Sequence, residues 1–262
     1  MATTLSSTEQ SILRGLQQEH PSAVGYQRLR GSSHQLLAFA TAAHPLVARW
    51  PKALKPRSAW WQELSVQQLA AQHRIAPPIL ALNAQAQSTL MRKAELRQAE
   101  LTSISELIRR CHQLPKVSTK LDIGHAFRYW FDLCKPNNRP WNAALNNSKA
   151  EHAAQRFAFF EGNWVQSHGD CVASNIMLLQ QQTVFIDWEY HCLAPQWWDL
   201  AIYAESQHLS TDEESQLLEH YYYAVQPVAA SQQLQVFRSI YADLAILWHC
   251  ATMRLSNHYH TV

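Results

Sequence analysis

His168-Gly169-Asp170-Cys171-Val172-Ala173-Ser174-Asn175, followed by Val184-Phe185-Ile186-Asp187-Trp188-Glu189 and then by Trp198-Asp199-Leu200-Ala201, is the stretch that decides how this chain is read. In the first segment an Asp and an Asn lie five residues apart, and in the second an Asp closes an apolar run. Magnesium takes carboxylates, amide oxygens, phosphate oxygens and water in an octahedral array, and Asn175 and Asp187 are the residue types for that role. A carboxylate beside a hydroxyl orients it and accepts its proton, and Asp170 is the candidate. Gly169 allows a tight turn, so that His168 can point inward and fix the loop from behind. The joint spacing points to phosphoryl transfer, where positioning and charge neutralisation supply most of the catalysis. H-x-D alone would be no more than a turn with a buried His; the conjunction of segments carries the reading.

Outward from these segments, the chain of 262 residues is long enough for one large or two modest domains, and 47% hydrophobic residues supply a sizeable core. A formal net charge of +2 is too small to argue for a nucleic-acid partner or an acidic membrane surface. Five cysteines, odd in number and with no C-x-x-C pair, indicate neither a disulfide framework nor a zinc site. The N-terminal residues lack the apolar centre of a signal peptide, and no apolar run approaches a membrane span. A soluble cytoplasmic protein is expected.

Toward the N-terminus, residues 8–20 read as a short helix with Ile12, Leu13 and Leu16 on one face. Three runs of β-type composition follow, at 24–30, 35–41 and 46–50. Gly31-Ser32-Ser33-His34 and Ala42-Ala43-His44-Pro45 separate them, which predicts an antiparallel meander. A helix is expected over 58–73, ended by Pro77-Pro78, and a further strand over 79–82. The small polar residues 83–90 are the expected connector, giving an N-terminal lobe over 1–83 and a C-terminal lobe over 84–262. Helices are expected at 92–113, 123–134, 148–160, 214–225 and 234–255, with a strand at 183–186.

Residues 168–201 resemble the aminoglycoside phosphotransferase and choline/ethanolamine kinase family, through H-G-D-x-x-x-x-N, I-D-x-E and D-L-A. The resemblance implies an α+β, protein-kinase-like two-lobe fold, with a small antiparallel sheet and helix before a larger, mainly helical lobe. It implies ATP and Mg2+ as cofactors and a small-molecule alcohol as acceptor. Asp170 would be the catalytic base beside His168, Asn175 and Asp187 the metal ligands, and Asp199 an anchor bonded back to the catalytic loop. A basic residue on the third strand would contact the ATP phosphates and pair with a Glu on the next helix; Arg49 and Glu63 occupy those places. Gly31, Ser32 and Ser33 stand where the family carries its phosphate loop, although that loop is usually richer in Gly.

Trp188, Tyr190 and Trp198, with Glu189 among them, are the candidate substrate residues, since aromatic faces attract a cationic alcohol. Adjacent tryptophans are as readily core packing. Few acids follow Asp199, mainly Glu205, Asp212, Glu213 and Glu214, so choline, ethanolamine or thiamine ranks above an aminoglycoside. Two other classes share some of these residues: a non-catalytic kinase-like nucleotide-binding module, and a metal-dependent phosphohydrolase built on His168, Asp170 and Asp187.

Overall fold

The computed structural model describes residues 6–7, 9–10, 12, 14–15, 24–29, 34–41, 44–134, 147–223 and 226–258. The expected phosphate loop Gly31, Ser32 and Ser33, and most of the expected helix at 8–20, lie outside the described residues. The chain divides into two compact units. The first comprises residues 1–99 together with 176–189, the second 100–175 together with 190–262.

The first unit is built on a five-stranded antiparallel sheet in the order β1-β2-β3-β5-β4. Its strands are β1 (Val24–Leu29), β2 (His34–Ala40), β3 (Leu46–Pro51), β4 (Ile79–Asn83) and β5 (Ser88–Arg92). Alternation along β3 puts Leu46, Ala48 and Trp50 on one face, where they join Leu37, Phe39 and Leu90 in the core. Arg49 therefore points to the other face, opposite Leu36 on β2 and Thr89 on β5. Helix α1 (Arg57–Gln72) buries Trp60, Glu63, Leu64, Val66, Gln67 and Ala70, a helical stripe in which Glu63 is the charged member.

Residues 84–87 close the β4–β5 hairpin, where the sequence predicts a connector. Asn83 Oδ1 accepts the amide N–H groups of Gln85 and Ala86, and Gln87 adopts φ 47°. The polar tract is thus a turn inside the first unit. A second hairpin, β7 (Ile176–Leu179) with β8 (Gln182–Phe185), belongs to the same unit. Glu95 and Leu178 exchange backbone hydrogen bonds of 2.8 Å, and Phe185 N–H donates to the Ile75 carbonyl at 2.9 Å.

The second unit is mainly helical: α2 (Leu101–His112), α3 (Ile123–Cys134), α4 (Asn147–Ala158), α5 (Trp197–Ser206), α6 (Thr211–Tyr222) and α7 (Ala230–His258). A two-stranded antiparallel ribbon, β6 (Trp164–Ser167) with β9 (Cys192–Pro195), accompanies them. Helix α2 starts nine residues later than the predicted 92, because Arg92 still belongs to β5 and residues 93–100 carry no helix. Ser210 and Glu213 form a capping box that starts α6. No helix among the described residues is long and apolar enough to cross a membrane.

Candidate active site

The loop His168–Asn175 leaves β6 and belongs to the second unit. Gly169 has φ +80°, and a Cβ on it would sit 2.0 Å from the Tyr190 carbonyl oxygen. Only glycine meets both demands. Asp199, near the start of α5 and fully buried, accepts the His168 amide N–H at 2.8 Å and the Gly169 amide N–H at 2.9 Å. His112, the last residue of α2, places Nε2 3.2 Å from the same carboxylate and Nδ1 2.7 Å from the Tyr221 hydroxyl. Burial pushes the Asp199 carboxyl up, but the His112 hydrogen bond and charge, with smaller contributions from His168 and Ser167, hold it below its ordinary value. The His168 side chain is fully buried. Asp170 itself is half-buried, and Asn175 Nδ2 donates to its Oδ2 at 2.7 Å and to its carbonyl at 3.0 Å. That donation leaves the Asn175 amide oxygen as the atom able to serve a cation.

The first unit carries a charged cluster on the face of the sheet away from its apolar core. Arg49 Nη2 lies 3.0 Å from Glu63 Oε1, 2.6 Å from Asp187 Oδ1 and 3.0 Å from His34 Nε2. Lys55 Nζ lies 2.8 Å from both Glu63 Oε2 and Glu189 Oε2. Three carboxylates thus meet two cations. Burial, reinforced by the charge of Arg49, presses the His34 imidazole down to about 2, so it is neutral. Burial pushes the Asp187 carboxyl above its ordinary value; Arg49 opposes this, and Glu189 and Glu63 add to it. Asp187 also adopts φ 64°, in the left-handed region that a residue with a Cβ enters at a cost. Ligand atoms of His34, Asp187 and Glu189 all lie within 4.8 Å of one another. The carboxylate oxygens suit a hard divalent cation such as magnesium.

Two of the residues expected at the acceptor are packing residues. Trp188 is fully buried, edge-on to Phe185 with ring centroids 6.1 Å apart. Trp198 is 3% exposed and wedged edge-on against Phe157 and Tyr241. Their area drives them into the core, and neither offers a free ring face. Glu189 is engaged by Lys55, whereas Tyr190 is 42% exposed. His34, Lys55, His112, Tyr221 and Tyr241 lie outside the motifs. For His112 a signal existed, a polar residue continuing the buried stripe of Ile104, Ile108 and Cys111.

Residues 33–234 match the model of the phosphotransferase enzyme family. Protein LicA of Haemophilus influenzae is 33% identical over 130 residues, which cover 47% of this chain and 49% of that protein. A second LicA sequence from the same species is 28% identical over 130 residues, covering 47% of this chain and 38% of its own length. The chain thus spans about half, or less, of the curated relatives it matches. Choline kinase LicA from Streptococcus pneumoniae shares the fold with a TM-score of 0.79 at 15% identity, over 95% of this chain and 92% of that one. A choline/ethanolamine kinase family protein from Mesorhizobium loti gives 0.74 at 16% identity, over 97% and 88%. An aminoglycoside phosphotransferase from Streptomyces rimosus gives 0.67 at 19% identity, over 91% and 97%. These likenesses establish a protein-kinase-like α+β fold, and the family match over most of the length establishes membership: the chain belongs to the phosphotransferase enzyme family.

Proposed function

We propose that this protein transfers the γ-phosphoryl group of ATP, with Mg2+, to the hydroxyl of a small cationic alcohol of the choline or ethanolamine type. The observation that supports it most is the anchored loop. Asp199 fixes the backbone on both sides of the His168–Gly169 peptide, and Asn175 holds the carboxylate of Asp170. A carboxylate fixed in this way is suited to orient an acceptor hydroxyl and take its proton, as phosphoryl transfer requires. A phosphohydrolase with two metals would need several His and carboxylate ligands, yet His168 is fully buried.

In this reading Arg49, oriented by Glu63, contacts the ATP phosphates as a planar fork rather than a point charge. By the family resemblance, Asp187 and Asn175 are the residues that would hold magnesium. Bound there, magnesium would offset the charge on the transferring phosphoryl oxygens. Asp170 orients the hydroxyl and accepts its proton. The oxygen of the acceptor then bonds to phosphorus as the bond to the ADP oxygen breaks. Gly31, Ser32 and Ser33 are the proposed phosphate loop. A cytoplasmic setting fits this reading, since the cysteines of the described residues are thiols, as a reducing compartment keeps them.

For the acceptor, the acids after Asp199 carry weight. Glu205 and Glu214 pair with Arg238, Glu214 also accepts from Gln235, and Glu213 caps α6. Engaged in this way they form no ring of carboxylates for a polyamine. Near Asp170 stands Tyr241 of α7, whose phenol is pushed up by burial and by the Asp170 charge. It stacks edge-on to Trp198 at 5.9 Å and supplies an aromatic group to a small cation. One such contact in a desolvated site contributes about 2 kcal/mol. Choline and ethanolamine kinases also stand among the fold neighbours.

The test is ADP release with ATP and Mg2+ over choline, ethanolamine, thiamine, kanamycin, neutral sugars and water alone. Turnover is expected with a cationic alcohol. Turnover on kanamycin or a sugar far above all three would remove the acceptor class, and ADP release on water alone would favour a hydrolase.

A further inference from the structure

Lys55 belongs to no motif, yet it is held from both ends. Its amide N–H donates to Gln87 Oε1 at 2.8 Å, and Gln87 Nε2 donates back to the Lys55 carbonyl at 2.7 Å. Gln87 is buried in the β4–β5 turn, so the lysine backbone is fixed to the sheet. At the other end Nζ bridges Glu63 and Glu189 at 2.8 Å each, with the side chain only 22% exposed. The result is a fixed ammonium inside the carboxylate cluster.

Position gives that charge a consequence. Asp187 and Glu189, with His34, bring one ligand atom each within 4.8 Å of one another, a spacing that would collect a divalent cation. Arg49 occupies Asp187, and Lys55 occupies Glu189. We infer that Lys55 is a resident cation that keeps the cluster from loading a divalent metal on its own, so that metal enters together with the nucleotide. With Lys55, three carboxylates face two cations, a net charge of −1; without it they face one, and the net charge is −2. Repulsion between an ammonium and a divalent ion a few ångströms apart in a partly buried site is large compared with thermal energy. A polyphosphate changes the balance, since it adds negative charge and its own oxygen ligands. The nucleotide part rests on the phosphotransferase reading; the metal part does not.

A plain clamp between α1 and the turn at Glu189 would give a different result. Losing a clamp lowers stability and loosens any metal site, whereas losing a resident cation tightens metal binding. The experiment is Mn2+ binding followed by electron paramagnetic resonance, without nucleotide, in wild type, Lys55→Met, Lys55→Gln and Lys55→Arg. Circular dichroism confirms that each is folded, and Lys55→Gln, which keeps a polar tip, serves where the Met variant does not fold. Neutral variants are expected to bind Mn2+ tenfold or more tighter than wild type, with Lys55→Arg close to wild type. Adding a non-hydrolysable ATP analogue should tighten Mn2+ in wild type more than in the neutral variants. Unchanged or weaker Mn2+ binding in the neutral variants overturns the inference. Tighter binding in a protein that releases no ADP on any acceptor would keep the metal part and remove the phosphotransferase reading.

Discussion

The carboxylate of Asp199 accepts the backbone N–H of Gly169 at 2.9 Å, one residue before Asp170, from a position with no solvent exposure. Asp199 therefore acts on the loop through its backbone. Because burial is outweighed by hydrogen bonds and nearby charge, its folded value is lowered. A lowered carboxyl contributes stability that is complete above its unfolded value of about 3.9 and lost as pH falls through the folded value. Asp199→Asn should therefore cost on the order of 3 kcal/mol at neutral pH. The stability difference from wild type should stay constant from mildly alkaline pH down to about 5 and shrink below about 4. Denaturant titrations across pH measure this, and a difference that widens in acid would contradict it.

Gly169→Ala should abolish most turnover while the protein stays folded. Its φ of +80° is unfavourable for alanine, and the Tyr190 carbonyl stands 2.0 Å from the new Cβ. The loop must move, and a displacement of about 1 Å at a reacting group commonly costs on the order of a hundredfold in rate. A folded variant with near wild-type kcat would show that the loop geometry does not matter.

Arg49→Met should raise KM for ATP and lower kcat, and Glu63→Gln should do the same to a smaller extent. The 3.0 Å pair makes the two effects non-additive. A double-mutant cycle on kcat/KM should give a coupling of about 1 kcal/mol or more. Strict additivity would remove the pairing from the mechanism.

Asp170→Asn should keep nucleotide affinity and lose turnover by on the order of a hundredfold or more, since a proton acceptor is removed while its shape is kept. Calorimetry for binding and single-turnover kinetics for rate separate the two. Loss of nucleotide binding would place Asp170 in the binding role instead.

Much of this architecture was legible in the sequence because its signals are local. The β1–β3 meander is marked by turns, α1 by its stripe from Trp60 to Ala70, and the loop by the H-G-D-x-x-x-x-N spacing. Other parts left no such signal. The ribbon strands β6 and β9 are four residues each, too short for alternation to register. Helix α5 is buried on nearly every side, so Trp197 to Ala204 shows no amphipathic period. Residues 83–90 have linker composition, and only the pairing of Ser88–Arg92 with β3 and β4 makes them a hairpin. Trp188 carries the chemistry of a cation-binding ring, and burial against Phe185 decides otherwise. Lys55 sits in a polar loop, and its two carboxylate partners are 8 and 134 residues away.

Transfer of phosphate to an acceptor carbon-bound oxygen is the central claim, and 31P nuclear magnetic resonance reads it directly. Wild type incubated with ATP, Mg2+ and choline, with ethanolamine in a parallel sample, should give a new phosphomonoester resonance in step with ADP. Asp170→Asn should give neither at a comparable rate. Folded wild-type protein that leaves ATP intact with both alcohols, or releases only inorganic phosphate, would contradict the account.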